Sequence, residues 1–269
     1  MNNNNNLPTQ EKETNHIGSF LGFVLLGKPE WDKTQFINDM KSEWNIEISE
    51  EDAEDNEEDI IVTDLDGKRL LVSFIPAPIP DGETQYYAKG NYLWSDAERI
   101  ADAHKAQILI SVLGEHTDMA DICDKAKLFV MAVCCALSQK HALAVYTDGA
   151  VYEPRFYKAV AEVMMDNEFP IVNLVWFGPY ANDKLAGFYT SGMKKFGRDE
   201  IEVFVPRDKA EMEEIRDFIS DIALYTIECD AVLKDGDTIG FSEQEQLAIT
   251  RSPGIALEED TIKIEYPCK

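Results

Sequence analysis

Residues 17–44 read IGSFLGFVLLGKPEWDKTQFINDMKSEW, and the fold turns on whether this stretch is a membrane helix or a strand followed by a helix. The apolar run Ile17–Gly27 has eleven residues, about half of what a spanning helix needs. Glu11, Lys12 and Glu13 precede it where a signal peptide would carry a basic segment, and no small-x-small cleavage pattern follows. Lys28-Pro29 ends the run as a strand is ended. We therefore expect a buried strand over Phe20–Leu26. Asp32, with Gln35 three positions on, then opens a helix to about Trp44, with Phe36, Ile37, Met40 and Trp44 on one face.

The same alternation runs outward from this stretch. Ile60–Asp64 and Leu70–Ile75 flank Asp66-Gly67, a strong hairpin signal. Pro76, Pro78 and Pro80 forbid further pairing. Ser95 and Glu98 cap a short helix to about Ala103, and Gln107–Leu113 is a strand. Thr117 caps a long helix with apolar positions from Met119 to Leu137 spaced three and four apart. Leu143–Thr147 is a strand, and Pro154 opens a helix through Met165. Ile171–Phe177 and Leu185–Thr190 read as paired strands; a helical turn over Ser191–Phe196 leads to the strand Ile201–Val205. Asp208 and Glu211 start a second long helix, and residues 228–269 read as hairpin material around Asp235-Gly236. Each half then has the order β-α-β-β-α-β. The expected fold is α+β, two tandem ferredoxin-like units each followed by a long helix, plus a C-terminal β-hairpin segment. The expected division is a disordered leader over 1–16, an N-terminal half over 17–140 and a C-terminal half over 141–269, fused into one globular body.

Composition narrows the function. The 269 residues carry 25 Lys+Arg against 51 Asp+Glu, a net charge of −26, and 45% are hydrophobic. That is enough apolar material for a core and excludes intrinsic disorder. The charge also opposes binding to nucleic acid or anionic lipid, which runs on Lys and Arg neutralising phosphates. The cysteines Cys123, Cys134, Cys135, Cys229 and Cys268 are odd in number and lack a C-x-x-C pair, so reduced thiols in a cytoplasmic protein are expected.

The segments LGFVLLGKPEWD (21–32), LAVYTDGAVYEPRFY (143–157), FYTSGMKKFGRDEIEV (188–203) and LKDGDTIGFSEQEQLAITRSPGI (233–255) resemble an uncharacterised bacterial family, domain of unknown function 4261. The resemblance runs across most of residues 20–266, and its specificity lies in Gly-Met-x-x-Phe-Gly and Asp-Gly-x-Thr-x-Gly. It implies a cytoplasmic bacterial protein of α+β fold and supplies no substrate or catalytic residue.

Two features are candidate sites. Glu50, Glu51, Asp52, Glu54, Asp55, Glu57, Glu58 and Asp59 place eight carboxylates in ten residues. Such a run suits a basic partner's surface, although charge blocks are usually solvated, self-repelling loops. Gly187, Gly192 and Gly197 are spaced five apart around Thr190, Ser191, Lys194 and Lys195. Backbone N–H groups at a helical turn with two ammonium groups nearby make Thr190, Ser191, Gly192, Lys194 and Lys195 the candidate anion or ligand site. A tight passage that needs glycine explains the spacing as well. Asp64-Leu-Asp66, Asp148-Gly149 and Asp235-Gly-Asp237 read as turn chemistry rather than as metal ligands. His16, His104, His116 and His141 form no zinc spacing and no nucleophile–base pair with the cysteines. Tyr86, Tyr87, Tyr92 and Trp94 suit either a contact surface or a loop folded onto its own core.

With no nucleotide signature, no metal set and no catalytic pair, no cofactor is expected. The reading is a non-enzymatic acidic protein that docks a basic protein partner, as immunity and antitoxin-like proteins do. The alternatives are a sensor holding a metabolite between ferredoxin-like units, and a hydrolase using scattered carboxylates.

Overall fold

The computed structural model describes residues 17–49, 59–240 and 246–267. The expected leader and Glu50–Glu58 of the acidic run lie outside the described residues. The strands are β1 (Phe20–Leu26), β2 (Ile60–Leu65), β3 (Lys68–Ile75), β4 (Ala106–Leu113), β5 (Ala142–Thr147), β6 (Ala150–Tyr152), β7 (Trp176–Ala181), β8 (Leu185–Ser191), β9 (Ile201–Pro206), β10 (Thr238–Ile239), β11 (Leu247–Pro253) and β12 (Asp260–Ile264). The helices are α1 (Lys33–Trp44), α2 (Glu83–Ala88), α3 (Ala97–Ala103), α4 (Met119–Ala136), α5 (Pro154–Ala161), α6 (Ile171–Leu174) and α7 (Met212–Glu228).

Local signals act where the sequence places them. The Asp32 carboxylate accepts from the Gln35 N–H at 2.8 Å and starts α1. Asp66 (φ 55°) and Gly67 (φ 81°) form the turn between β2 and β3, both in the left-handed region that a tight hairpin requires. The apolar run at 20–26 is a strand, and among the described residues no helix is long and apolar enough to cross a membrane.

The architecture is α+β, with two six-stranded sheets. The first has the order β2-β3-β4-β1-β5-β6 and is antiparallel throughout. The second has the order β10-β11-β12-β9-β8-β7, with only β12 and β9 parallel. These orders are not those of tandem ferredoxin-like units, in which the first strand of each βαββαβ unit lies between the third and the fourth. Here β4 lies between β3 and β1 instead. The reason lies in β4, which is buried on both faces along nearly its whole length and so takes a central position. The proline-rich connection then carries α2 and α3 to the face opposite α1 and α4. On that face Ala88, Ala97 and Ala101 pack with Leu25, Ala144, Tyr146 and Val151.

The second expected unit also departs from its pattern. β5, read as its first strand, instead extends the first sheet beside β1. Ile171–Leu174, read as strand, is the helical turn α6, and the strand begins only at Trp176. A short apolar run after Phe169-Pro170 does not distinguish a strand from a buried turn. Pro179 is tolerated in β7 because β7 is an edge strand.

One continuous apolar core joins α4, α7 and the two sheets. Phe196 sits at the join, with its ring 5.6 Å from that of Phe20 and 5.8 Å from that of Phe169.

Candidate functional site

The site grows from the end of β8. Thr190 is fully buried there, and Gly192 at φ 126° turns the chain into a 3₁₀ turn, Met193–Phe196. The N–H groups of Gly192, Met193 and Lys194 converge as the glycine spacing suggests, but on the Oε1 of Glu200, at 2.9, 3.0 and 3.4 Å. The Thr190 hydroxyl donates to the other carboxylate oxygen at 2.7 Å and accepts from the Ile201 N–H at 2.8 Å. Glu200 is 4% exposed. This nest therefore holds an anion, and the anion is the chain's own side chain. Burial pushes the Glu200 carboxyl above its ordinary value, while the hydrogen bonds from Thr190, Gly192 and Lys194 pull it back.

Two positions on, Glu202 fills a second nest. Its carboxylate accepts from the N–H groups of Ile255, Ala256 and Leu257 at 2.8–3.2 Å, and the Lys263 ammonium lies 3.5 Å away. The two glutamates thus tie the 193–196 turn and the loop at 255–257 to β9. Both nests lie in one stretch of chain. Residues 189–265 match the DUF4261 family model, a domain of unknown function. No curated protein and no solved structure matches the chain. The DUF4261 stretch contains β9, both nests and their loops, whereas the segments 21–32 and 143–157 lie outside it.

The first nest aims Lys195, a residue of the DUF4261 stretch, at the first sheet. Its backbone carbonyl accepts from the Gly18 N–H at 2.8 Å, and its ammonium lies 5.2 Å from the centre of the Phe20 ring. That ammonium donates to Asp148 Oδ2 at 2.5 Å, with the two side chains 13% and 14% exposed. Asp148 (φ 53°) and Gly149 (φ 70°) form the β5–β6 turn, as the sequence reading of Asp148-Gly149 has it. The ion pair closes one side of a cleft of about 430 Å³. Leu21, Phe23, Ser111 and Tyr146 of the first sheet line this cleft, together with Glu83 from α2. The Tyr146 hydroxyl donates to Glu83 Oε1 at 2.5 Å. Burial, and next this hydrogen bond, raise the Tyr146 phenol far above its usual range.

The remaining predicted residues are dispersed. Ser191 Oγ reaches only the Asp148 carbonyl, at 3.4 Å, and Lys194 pairs with Glu259. Asp59 is exposed beside β2. Buried His104 accepts from the Ile79 N–H at 2.8 Å and lies against the Ala101 carbonyl, joining element ends. Among the described residues, no three His, Cys, Asp or Glu side chains gather as a metal site. Cys134 and Cys135 are buried, and burial pushes the Cys134 thiol up to about 12. The aromatic loop serves both readings. Tyr86 is 71% exposed, while Tyr92 packs on Trp176 and Phe188 at 5.4 and 5.9 Å.

Sequence reasoning missed Glu200, Glu202, Glu83 and Tyr146. The first two alternate with Ile201 and Val203, which reads as a strand with a solvated face. The available signal was their position between two glycine-containing loops, at 192–197 and 253–255.

Proposed function

We propose that the protein is a non-enzymatic, acidic interaction protein that docks a basic protein partner in the bacterial cytoplasm, in the manner of an immunity or antitoxin-like protein. The observation that carries this reading is how the chain disposes of its charge. The one anion nest foreseen from the sequence is filled by Glu200, so it is not open to an outside anion. Lys41, Lys195, Arg198, Arg216 and Arg251 close on the chain's own carboxylates. The surplus of acid is left outward, for example on α7, where Asp221 and Glu228 are exposed along one side. Burial and the neighbouring Asp217 raise the Asp221 carboxyl, a like-charge spacing that a cationic partner relieves.

Partners captured by the tagged protein at low salt should be basic. Their Kd, measured with purified components, should weaken about tenfold or more between roughly 50 and 300 mM salt. Replacing the eight acids of Glu50–Asp59 with Gln and Asn should slow association. Neutral partners, or binding indifferent to salt, would refute the proposal.

A different observation favours a small-ligand sensor as the second reading. Tyr92, Tyr152, Phe156 and Trp176 line a cavity of about 300 Å³ with Arg216 at its side, at the lower end of the size of small-molecule sites. A metabolite panel should then contain a compound that raises the melting temperature of the wild type but not of a Phe156→Asp variant; a flat panel counts against it.

A further inference from the structure

We propose that the cleft between Glu83 and Asp148 receives an arginine side chain of the basic partner. This assignment rests on the docking reading and specifies where that docking is anchored.

The floor of the cleft is a sheet face left partly open. α2 and α3 sit over β5 and β6, while Leu21 on β1 and Leu113 on β4 stay 49% and 41% exposed. The register sets Leu21 beside Ser111, and Phe23 between Leu109 and Tyr146. The Phe23 and Tyr146 rings are nearly parallel, 18° apart with centroids at 6.0 Å. Tyr146 is itself buried, with Tyr87 stacked on it at 5.8 Å, so the ring offered to a guest is the half-buried Phe23. Apolar side chains of this kind accept the methylene stem of a long basic residue, and such a ring accepts a flat cation.

The charges in the cleft select the sign of the guest. Its lining holds two carboxylates, Glu83 and Asp148, and one ammonium, Lys195. Lys195 is committed to Asp148, which leaves one negative charge in excess inside a chain of −26. Glu83 is exposed, and its Oε1 is oriented by the Tyr146 hydroxyl. A guanidinium fits this better than an ammonium because its planar fork pairs with a carboxylate through two parallel hydrogen bonds while its face stacks on a ring.

The test uses N-acetyl-arginine amide as the probe, titrated at low salt into the isotope-labelled full chain and followed by amide NMR. Saturable shifts at Leu21, Phe23, Ser111 and Asp148 are expected. The neutral isostere N-acetyl-citrulline amide should produce none. E83Q, a surface change whose own spectrum verifies its fold, should weaken binding about fivefold or more. Shifts scattered over the acidic surface, equal binding of the citrulline probe or unchanged affinity in E83Q would each overturn the assignment. A basic partner whose salt-sensitive Kd is unaffected by E83Q refutes the cleft and leaves the docking reading standing. Arginine-probe binding at the cleft with no basic partner captured does the reverse.

Discussion

Replacing Glu200 with alanine is expected to destabilise the protein by about 3–5 kcal/mol, read as a lower denaturant midpoint at constant slope. The loss is large because one side chain satisfies four donors: the N–H groups of Gly192, Met193 and Lys194 and the Thr190 hydroxyl. Removing it takes the acceptor from all four, of which the Met193 N–H and the Thr190 hydroxyl belong to buried residues. Glu200→Gln is expected to cost about 2–3 kcal/mol, since its amide nitrogen turns a donor toward donors. The effect also has a pH signature. Burial raises the folded-state carboxyl above its ordinary 4.5, so the folded chain holds this proton more tightly than the unfolded one. The stability from that proton is present below the ordinary value and is lost as pH rises through the raised one. The gap between wild type and E200A should therefore narrow as pH rises from about 4 toward neutrality. A cost below about 1 kcal/mol for E200A would show that the nest holds nothing in place.

The second large effect is at Gly192. Its φ of 126° lies where L side chains are strained, and an added Cβ would stand 2.6 Å from the Leu174 carbonyl oxygen. Neither partner is a flexible side-chain end, so the backbone of α6 or of the turn has to move. Gly192→Ala is expected to cost about 3 kcal/mol or more and to disturb the nest as it does so. Gly197 provides the internal comparison. Its φ of 67° is the ordinary left-handed region, and its Cβ would meet only the end of the Ile17 side chain at 3.3 Å. Gly197→Ala should cost about 1 kcal/mol. Thermal or denaturant unfolding of the two variants side by side checks the ranking; equal costs would refute the close-approach argument.

Local chemistry made some of this structure legible beforehand. The Asp32 cap, the Asp66-Gly67 hairpin and the strand at 20–26 each depend on residues a few positions apart, and each formed as read. Strand order depends on pairings between distant segments, and the βαββαβ rhythm was compatible with more than one of them. Leu143–Thr147 reads as a strand, yet nothing within it says that its neighbour is β1 rather than the strands that follow it. The site shows the same limit. In the sequence Lys195 stands out for its charge and Asp148 for its turn, but their pairing crosses 47 positions and becomes visible only when the two sheets meet. Nothing in the sequence singles out Glu200, because a glutamate next to a strand ordinarily faces water, whereas this one faces a loop.

The parallel pairing of β12 with β9 bears on how the chain comes off the ribosome. β9 has β8 on one side as soon as both are made, but its other neighbour ends at Ile264, and the donors that meet Glu202 are at 255–257. Until those residues have emerged, a nascent chain carries an unzipped strand border and a glutamate without the N–H groups that hold it. The second sheet is thus completed only after residues 255–264 have been made, and chains cut short near residue 250 become natural clients for chaperones and proteases.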